Sequence, residues 1–264
     1  LTHFQYRALF ASVGQGHRQP GSFRLQYEES GERQVIFAVQ ASHQVLTVTA
    51  VSRVTVASAP LPSITPPWDE VALQLRTASS PGCLEARQYL FDSPRIELWT
   101  EPVEYARPSF PRGRPLLEAV GELMERIHQD FTYDPGFTTV TTPLHKVFAH
   151  RRGVCQDFAH LAIACLRGLG LAARYVSGYI ETLPPPGQEK LVGADASHAW
   201  FSVFEPEAGW FDFDPTNNQL PMGQHITVAW GRDYSDITPL KGVIYGGGKR
   251  HETQVAVDVL RLAT

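Results

Sequence analysis

The strongest periodic signal in the chain lies over residues 115–131, where Leu116, Val120, Leu123, Met124, Ile127 and Phe131 recur at helical spacing and mark one buried face. Pro115 suits the first turn of that helix, because a helix start leaves its first N–H groups unpaired and proline has none to lose. A shorter helix is predicted over 143–151. Another is predicted over 155–169, with Phe158, Leu161, Ala162, Cys165, Leu166 and Leu169 facing inward and Gly168 and Gly170 ending it. Residues 34–40 and 44–56 follow a different rule: they are rich in β-branched side chains, and Leu46, Val48 and Ala50 alternate with Thr47 and Thr49 as on a strand. Further strands are predicted over 172–182, 198–204, 209–214 and 254–262.

Polar breaks at 29–32 and 41–43 separate the early strands as meander or hairpin turns would, and a short helix is expected near 84–91. Pro102, Pro108, Pro111, Gly113 and Pro115 then crowd together and read as a linker. The expected organisation is therefore α+β, with a β-rich, sandwich-like region over 1–105 and a core of helices and antiparallel sheet over 106–264. Residues 183–197 contain Pro184-Pro185-Pro186-Gly187 and are long and polar. They suit a loop beside a site, where they would form one wall of a substrate cleft.

Composition narrows the partners. A chain of 264 residues with 43% hydrophobic content can bury a substantial core. Its formal charge of −4 and lack of clustered Lys and Arg give no footprint for nucleic acid or an anionic membrane. No apolar run approaches the roughly 20 residues of a membrane span, and the first residues lack a basic-then-apolar signal pattern, so a cytoplasmic location is expected. The three cysteines are odd in number and far apart, which argues against a disulfide framework. Cys155 and Cys165, if on one helix, stand about 15 Å apart and cannot bridge. Cys165 sits among Leu161, Ile163 and Leu166 and reads as a buried apolar residue, whereas Cys83 follows Ser80-Pro81-Gly82 at a loop or helix start. No Cys-x-x-Cys or His-x-x-x-His cluster occurs, so no metal is expected.

Cys155 carries the chemistry. It falls where a polar loop gives way to a helical run, and a thiol at a helix N-terminus sees the positive end of the macrodipole and unpaired N–H groups that favour the thiolate. The same N–H groups, that of Cys155 first, could hold an oxyanion. Alternation in the later strand puts His198, Trp200 and Ser202 on one face and Ala199, Phe201 and Val203 on the other. Asp214 ends the next strand, where its carboxylate could receive the second ring N–H of His198 and fix its tautomer. Singly, each residue has an ordinary structural explanation. Together Cys155, His198 and Asp214 supply nucleophile, base and orienting acid, with Gln156, Ser197 and Trp200 as candidates to line the cleft. Three other signals fall short. Residues 245–250 lack phosphate-loop spacing, Ser197 has no Gly-x-Ser-x-Gly elbow, and His160 lies about 140° around the helix from Cys155.

The segments Arg152-Gly153-Val154-Cys155-Gln156-Asp157-Phe158-Ala159-His160, Arg174-Tyr175-Val176-Ser177-Gly178-Tyr179, Ser197-His198-Ala199-Trp200, Asp214-Pro215-Thr216-Asn217 and Gly231-Arg232-Asp233-Tyr234-Ser235-Asp236 resemble those of the bacterial transglutaminase-like family of the papain-like thiol superfamily. The resemblance spans the chain from about Pro115 onward. It implies a cysteine helix packed on an antiparallel sheet after an N-terminal β region, with Cys155 as nucleophile, His198 as base and Asp214 as its partner. It also implies action on a peptide or protein amide through a thioester. Hydrolysis is the expected outcome, with acyl transfer to an amine and an inactive binding module as alternatives, because the superfamily includes all three. Animal transglutaminases use calcium, but this chain shows no Asp-x-Asp-x-Asp-Gly loop, so no cofactor is expected.

Overall fold

The computed structural model describes residues 5–13, 22–27, 33–39, 45–56, 61–62, 64–182, 196–246, 252 and 254–261. Contacts divide the chain into two units, Leu1–Ala57 and Ser58–Thr264. In the first, β1 (Gln5–Val13) pairs antiparallel with β4 (Leu46–Arg53), and β2 (Ser22–Tyr27) pairs antiparallel with β3 (Arg33–Ala38).

The second unit opens with helices α1 (Trp68–Thr77), α2 (Pro81–Ala86) and α3 (Thr100–Ala106), followed by α4 (Leu116–Asp130), α5 (Leu144–His150) and α6 (Cys155–Gly168). Two short strands, β5 (Thr132–Tyr133) and β6 (Arg152–Gly153), pair in parallel just before α6. An antiparallel sheet of β7 (Ala173–Ile180), β8 (Ala196–Glu205), β9 (Gly209–Phe213) and β10 (His225–Gly231) has the order β10-β7-β8-β9.

The core wraps α6. Every residue of that helix from Asp157 to Arg167 is buried, so it is enclosed all round instead of presenting the single apolar face that its sequence suggested. Ala199, Phe201 and Val203 of β8 join its core on the sheet side, and Leu116, Val120, Leu123 and Ile127 of α4 contribute to the same cluster. Each large apolar side chain enclosed there stabilises the fold by about 1.5–3 kcal/mol relative to exposure. The polar residues of α6 are satisfied individually. Arg167 donates to the carbonyls of Phe91, Ala173 and Arg232 at 2.9, 2.9 and 2.6 Å, and burial pulls its pKa down to about 10. His160 accepts the Tyr234 N–H at 3.2 Å and packs on Tyr175, while burial pulls it down to about 3.

Those two residues explain what the Gly231-Arg232-Asp233-Tyr234-Ser235-Asp236 segment does. Asp233 is fully buried and accepts N–H groups from Arg95 and Ser235, each at 2.7 Å, while Arg232 pairs with Asp236. The segment thus ties the end of β10 to α6 and to the chain before it.

Three expectations are corrected. The proline-rich stretch at 102–115 is not a linker: Pro102 is buried within α3, and Pro115 caps α4 while bridging to Pro67. The contacts accordingly divide the chain after Ala57, and α1 to α3 belong with the helices behind the sheet, because Val71, Leu75, Cys83 and Tyr105 are buried in that core. No strand forms over the described residues 254–261; there Arg261 makes a bidentate pair with Glu181 at 2.7–3.0 Å. The 183–195 part of the expected cleft wall, and residue 262 of the last expected strand, lie outside the described residues.

One glycine is demanded by packing next to the site. Gly178 of β7 pairs with His198, and a Cβ there would collide with the Ile226 carbonyl and stand 2.6 Å from the Trp200 ring. Gly178→Ala should therefore lower stability by about 1–3 kcal/mol or more through overpacking. The midpoint of urea unfolding reads this directly, and an unchanged midpoint would show that β7 and β10 move apart at no cost.

Candidate active site

The start of α6 is built around Asp157. Val154 precedes the helix with extended backbone, and the Asp157 carboxylate reaches back to accept its N–H at 2.9 Å and the Thr138 hydroxyl at 2.7 Å. Burial raises the Asp157 pKa, and these two hydrogen bonds oppose it. Gly153 makes room, since a Cβ there would lie 2.8 Å from the same carboxylate. The cap fixes the first helical residue, Cys155, whose N–H is among those without an intrahelical acceptor. Cys155 is half-buried, whereas Cys83 and Cys165 are buried; all three are free. Burial drives the Cys165 thiol far above its ordinary range.

On β8, His198 is buried and its Nε2 lies 2.8 Å from Oδ2 of Asp214. Cys155 is the other side chain that acts on the His198 ring. With Nε2 engaged by Asp214, Nδ1 is the ring nitrogen left for the thiol. Burial disfavours the charged ring, but the hydrogen bonds and charges of Asp214 and Cys155 outweigh it and hold the His198 pKa up at about 9. Asp214 has no exposed surface. Burial would raise its pKa, yet hydrogen bonds from His198, His225 and Asn217 keep it well below the usual carboxylate range. Its other oxygen, Oδ1, accepts the backbone N–H groups of Thr216 at 3.0 Å and Asn217 at 3.2 Å.

The three residues singled out from the sequence thus meet at one point. Asp212, the neighbouring carboxylate, serves elsewhere: it accepts the Trp200 indole N–H at 3.1 Å and the Ser202 hydroxyl. Ser197, next to His198 in β8, is exposed, and Gln156, next to Cys155 in α6, is half-buried. Trp200 is fully buried and does not line a cleft; its ring lies 6.0 Å from that of His198. Sequence reasoning missed two members. Asn217 donates from Nδ2 to Asp214 Oδ2 at 2.7 Å, and His225 lies 3.0 Å from the same oxygen through Nε2. The run Ile226-Thr227-Val228 could have signalled the β10 strand, but a bulge between Thr227 and Ala229 breaks its alternation.

Among the described residues, His198, Asp214 and His225 form a group with candidate ligand atoms within 4.8 Å of one another. Their facing atoms are already joined by hydrogen bonds. What the geometry offers is a half-buried cysteine at a helix N-terminus, and a buried imidazole hydrogen-bonded to a buried carboxylate.

A central cysteine helix packed on an antiparallel sheet that carries histidine and aspartate is the architecture of the papain-like thiol fold. A family model described as the transglutaminase-like superfamily matches residues 105–215. An uncharacterized protein of Mycobacterium tuberculosis is 45% identical over 233 residues, which span 85% of this chain and 73% of that one. The chain belongs to the transglutaminase-like superfamily. A protein-glutamine gamma-glutamyltransferase of Pseudomonas aeruginosa is 30% identical over 156 residues, covering 52% of this chain and 23% of the relative. Among solved structures, a candidate cysteine protease from Cytophaga hutchinsonii aligns over 89% of this chain and 73% of its own with a TM-score of 0.61; at 23% identity the likeness is one of fold.

Proposed function

We propose that the protein is a thiol-dependent enzyme acting on a peptide or protein amide through a Cys155-His198-Asp214 triad. The observation that carries this reading is the chain of contacts from a half-buried thiol at the start of α6, through His198, to the ionised and fully buried Asp214. In the first step His198 takes the Cys155 proton and the sulfur attacks the amide carbonyl carbon. A C–S bond forms, and the developing oxyanion faces the Cys155 N–H. His198 then returns the proton to the leaving nitrogen as the C–N bond breaks, giving a thioester and a free amine. In the second step His198 deprotonates an acceptor that attacks the thioester and releases the thiol. Asp214 keeps the ring in the productive tautomer and stabilises the imidazolium throughout.

Water as acceptor gives hydrolysis, the reading favoured here because the sequence offers no separate amine site. An amine as acceptor gives acyl transfer, which the Pseudomonas aeruginosa relative brings forward as the second reading. The two separate in one experiment. Turnover of a glutamine- and amide-containing peptide library is followed by mass spectrometry with increasing primary amine. Hydrolysis predicts acid product at a yield independent of amine, and transfer predicts an amide adduct rising with amine concentration. Absence of both products and of any thioester on Cys155 would leave a binding module and overturn the enzyme reading.

A further inference from the structure

Asp214 Oδ2 serves more than the catalytic histidine. His198 Nε2 is 2.8 Å away, His225 Nε2 3.0 Å and Asn217 Nδ2 2.7 Å. An ionised carboxylate only accepts, so both rings must present an N–H to that oxygen. This fixes two tautomers at once. In His198 it frees Nδ1 for Cys155. In His225 it leaves Nδ1 buried and without a hydrogen-bond partner among the described residues. The one polar contact the ring makes there is therefore the one to Asp214. His225 is 5% exposed, stands edge-on to Trp200 at 5.2 Å between ring centroids, and lies 5.9 Å from the His198 ring.

We propose that His225 is a positioning residue of the triad, donating Nε2–H to the same Asp214 oxygen that serves His198, so that the carboxylate charge is shared between two imidazoles instead of being committed to one. The inference rests on the proposed pairing of Cys155 and His198. A carboxylate that spends part of its accepting capacity on His225 holds the His198 proton less tightly. The ring then remains able to give that proton to a leaving amine, which a fully committed ion pair would resist. Among the described residues, the titratable groups that face His198 are Cys155 from α6, Asp214 after β9 and His225 from β10; its partner on β7, Gly178, contributes no side chain. On its own strand the neighbouring Trp200 is tied to Asp212 of β9.

The test needs no substrate, so its failure is distinct from failure of the proposed activity. His198 is titrated by NMR of its ring Cε1–H, assigned by its loss in His198→Gln. In His225→Phe, which keeps the aromatic packing and deletes the donor, the His198 midpoint should rise by about half to one pH unit. His225→Gln restores an N–H at similar reach and should return the midpoint toward the parent value. An unmoved midpoint in folded His225→Phe would reduce His225 to packing, and a lowered one would mean that it merely holds Asp214 in place; either overturns the proposal. Should His225→Phe not fold, long-range proton–nitrogen spectra of the unmodified protein decide. The Nε2–H tautomer is required of His225, and the Nδ1–H tautomer overturns the inference.

Discussion

Cys155→Ala is expected to abolish the acyl-enzyme and to lower turnover by about 10³-fold or more, because no other group at the start of α6 can take the nucleophile's part. The same residue should dominate thiol chemistry in the unmodified protein. Cys155 is half-buried and interacts with the His198 imidazole, whereas Cys83 and Cys165 have 1% and 0% of their surface exposed. Burial also holds Cys165 in its unreactive thiol form. Limited iodoacetamide at mildly acidic pH, followed by peptide mapping, should place the label on Cys155, and Cys155→Ala should take up almost none while folded. Equal labelling of the three cysteines in the folded protein would remove the case for an activated nucleophile.

Asp214→Asn is expected to cost about 10³- to 10⁴-fold in turnover, since an amide in place of the carboxylate no longer fixes the His198 tautomer or balances its charge. Stability should fall too. Asp214 is the acceptor for His198, His225, the Asn217 amide and two backbone N–H groups, and each buried donor left unpaired costs about 1–3 kcal/mol.

The pH dependence of that loss follows from the two shifts. His198 titrates at about 9 in the fold against an ordinary value of 6.5, so its contribution is complete below about 6.5 and is lost as pH rises through 9. Asp214 is depressed, so its contribution is present above about 4 and is lost as pH falls below that range. The parent should lose stability on both flanks, and Asp214→Asn should flatten them. Urea unfolding from pH 3 to 10 reads both arms, and parallel curves for the two proteins would mean that the His198–Asp214 pair contributes nothing to the fold.

The sequence by itself determined the elements with a strong local signal. The six apolar positions from Leu116 to Phe131 specify α4 because one stripe of a helix needs nothing beyond its own periodicity to be recognised. Cys155 stood out for a similarly local reason: a polar-to-apolar switch marks a helix start, where the N–H groups and macrodipole favour a thiolate. Asp214 and His198 were legible as strand-end and strand residues, and the fold brings them to 2.8 Å across β8 and the turn after β9.

Tertiary structure decided what depends on packing against distant chain. The proline-rich stretch at 102–115 has linker composition, yet Pro102 is buried in α3, because a proline in the first turn of a helix forfeits no hydrogen bond and packs as well as any apolar residue. α6 is enclosed on every side, so its polar residues Asp157, His160 and Arg167 had to find partners contributed by Val154, Tyr234 and Arg232. Above all, His225 gave no local sign of its place, since its strand is bulged. β10 and β9 are the opposite edges of the sheet, yet His225 of β10 lies 3.0 Å from Asp214, which follows β9. Local periodicity reports which face of an element is apolar, and it carries no record of which buried polar groups the closed sheet will bring to the same oxygen.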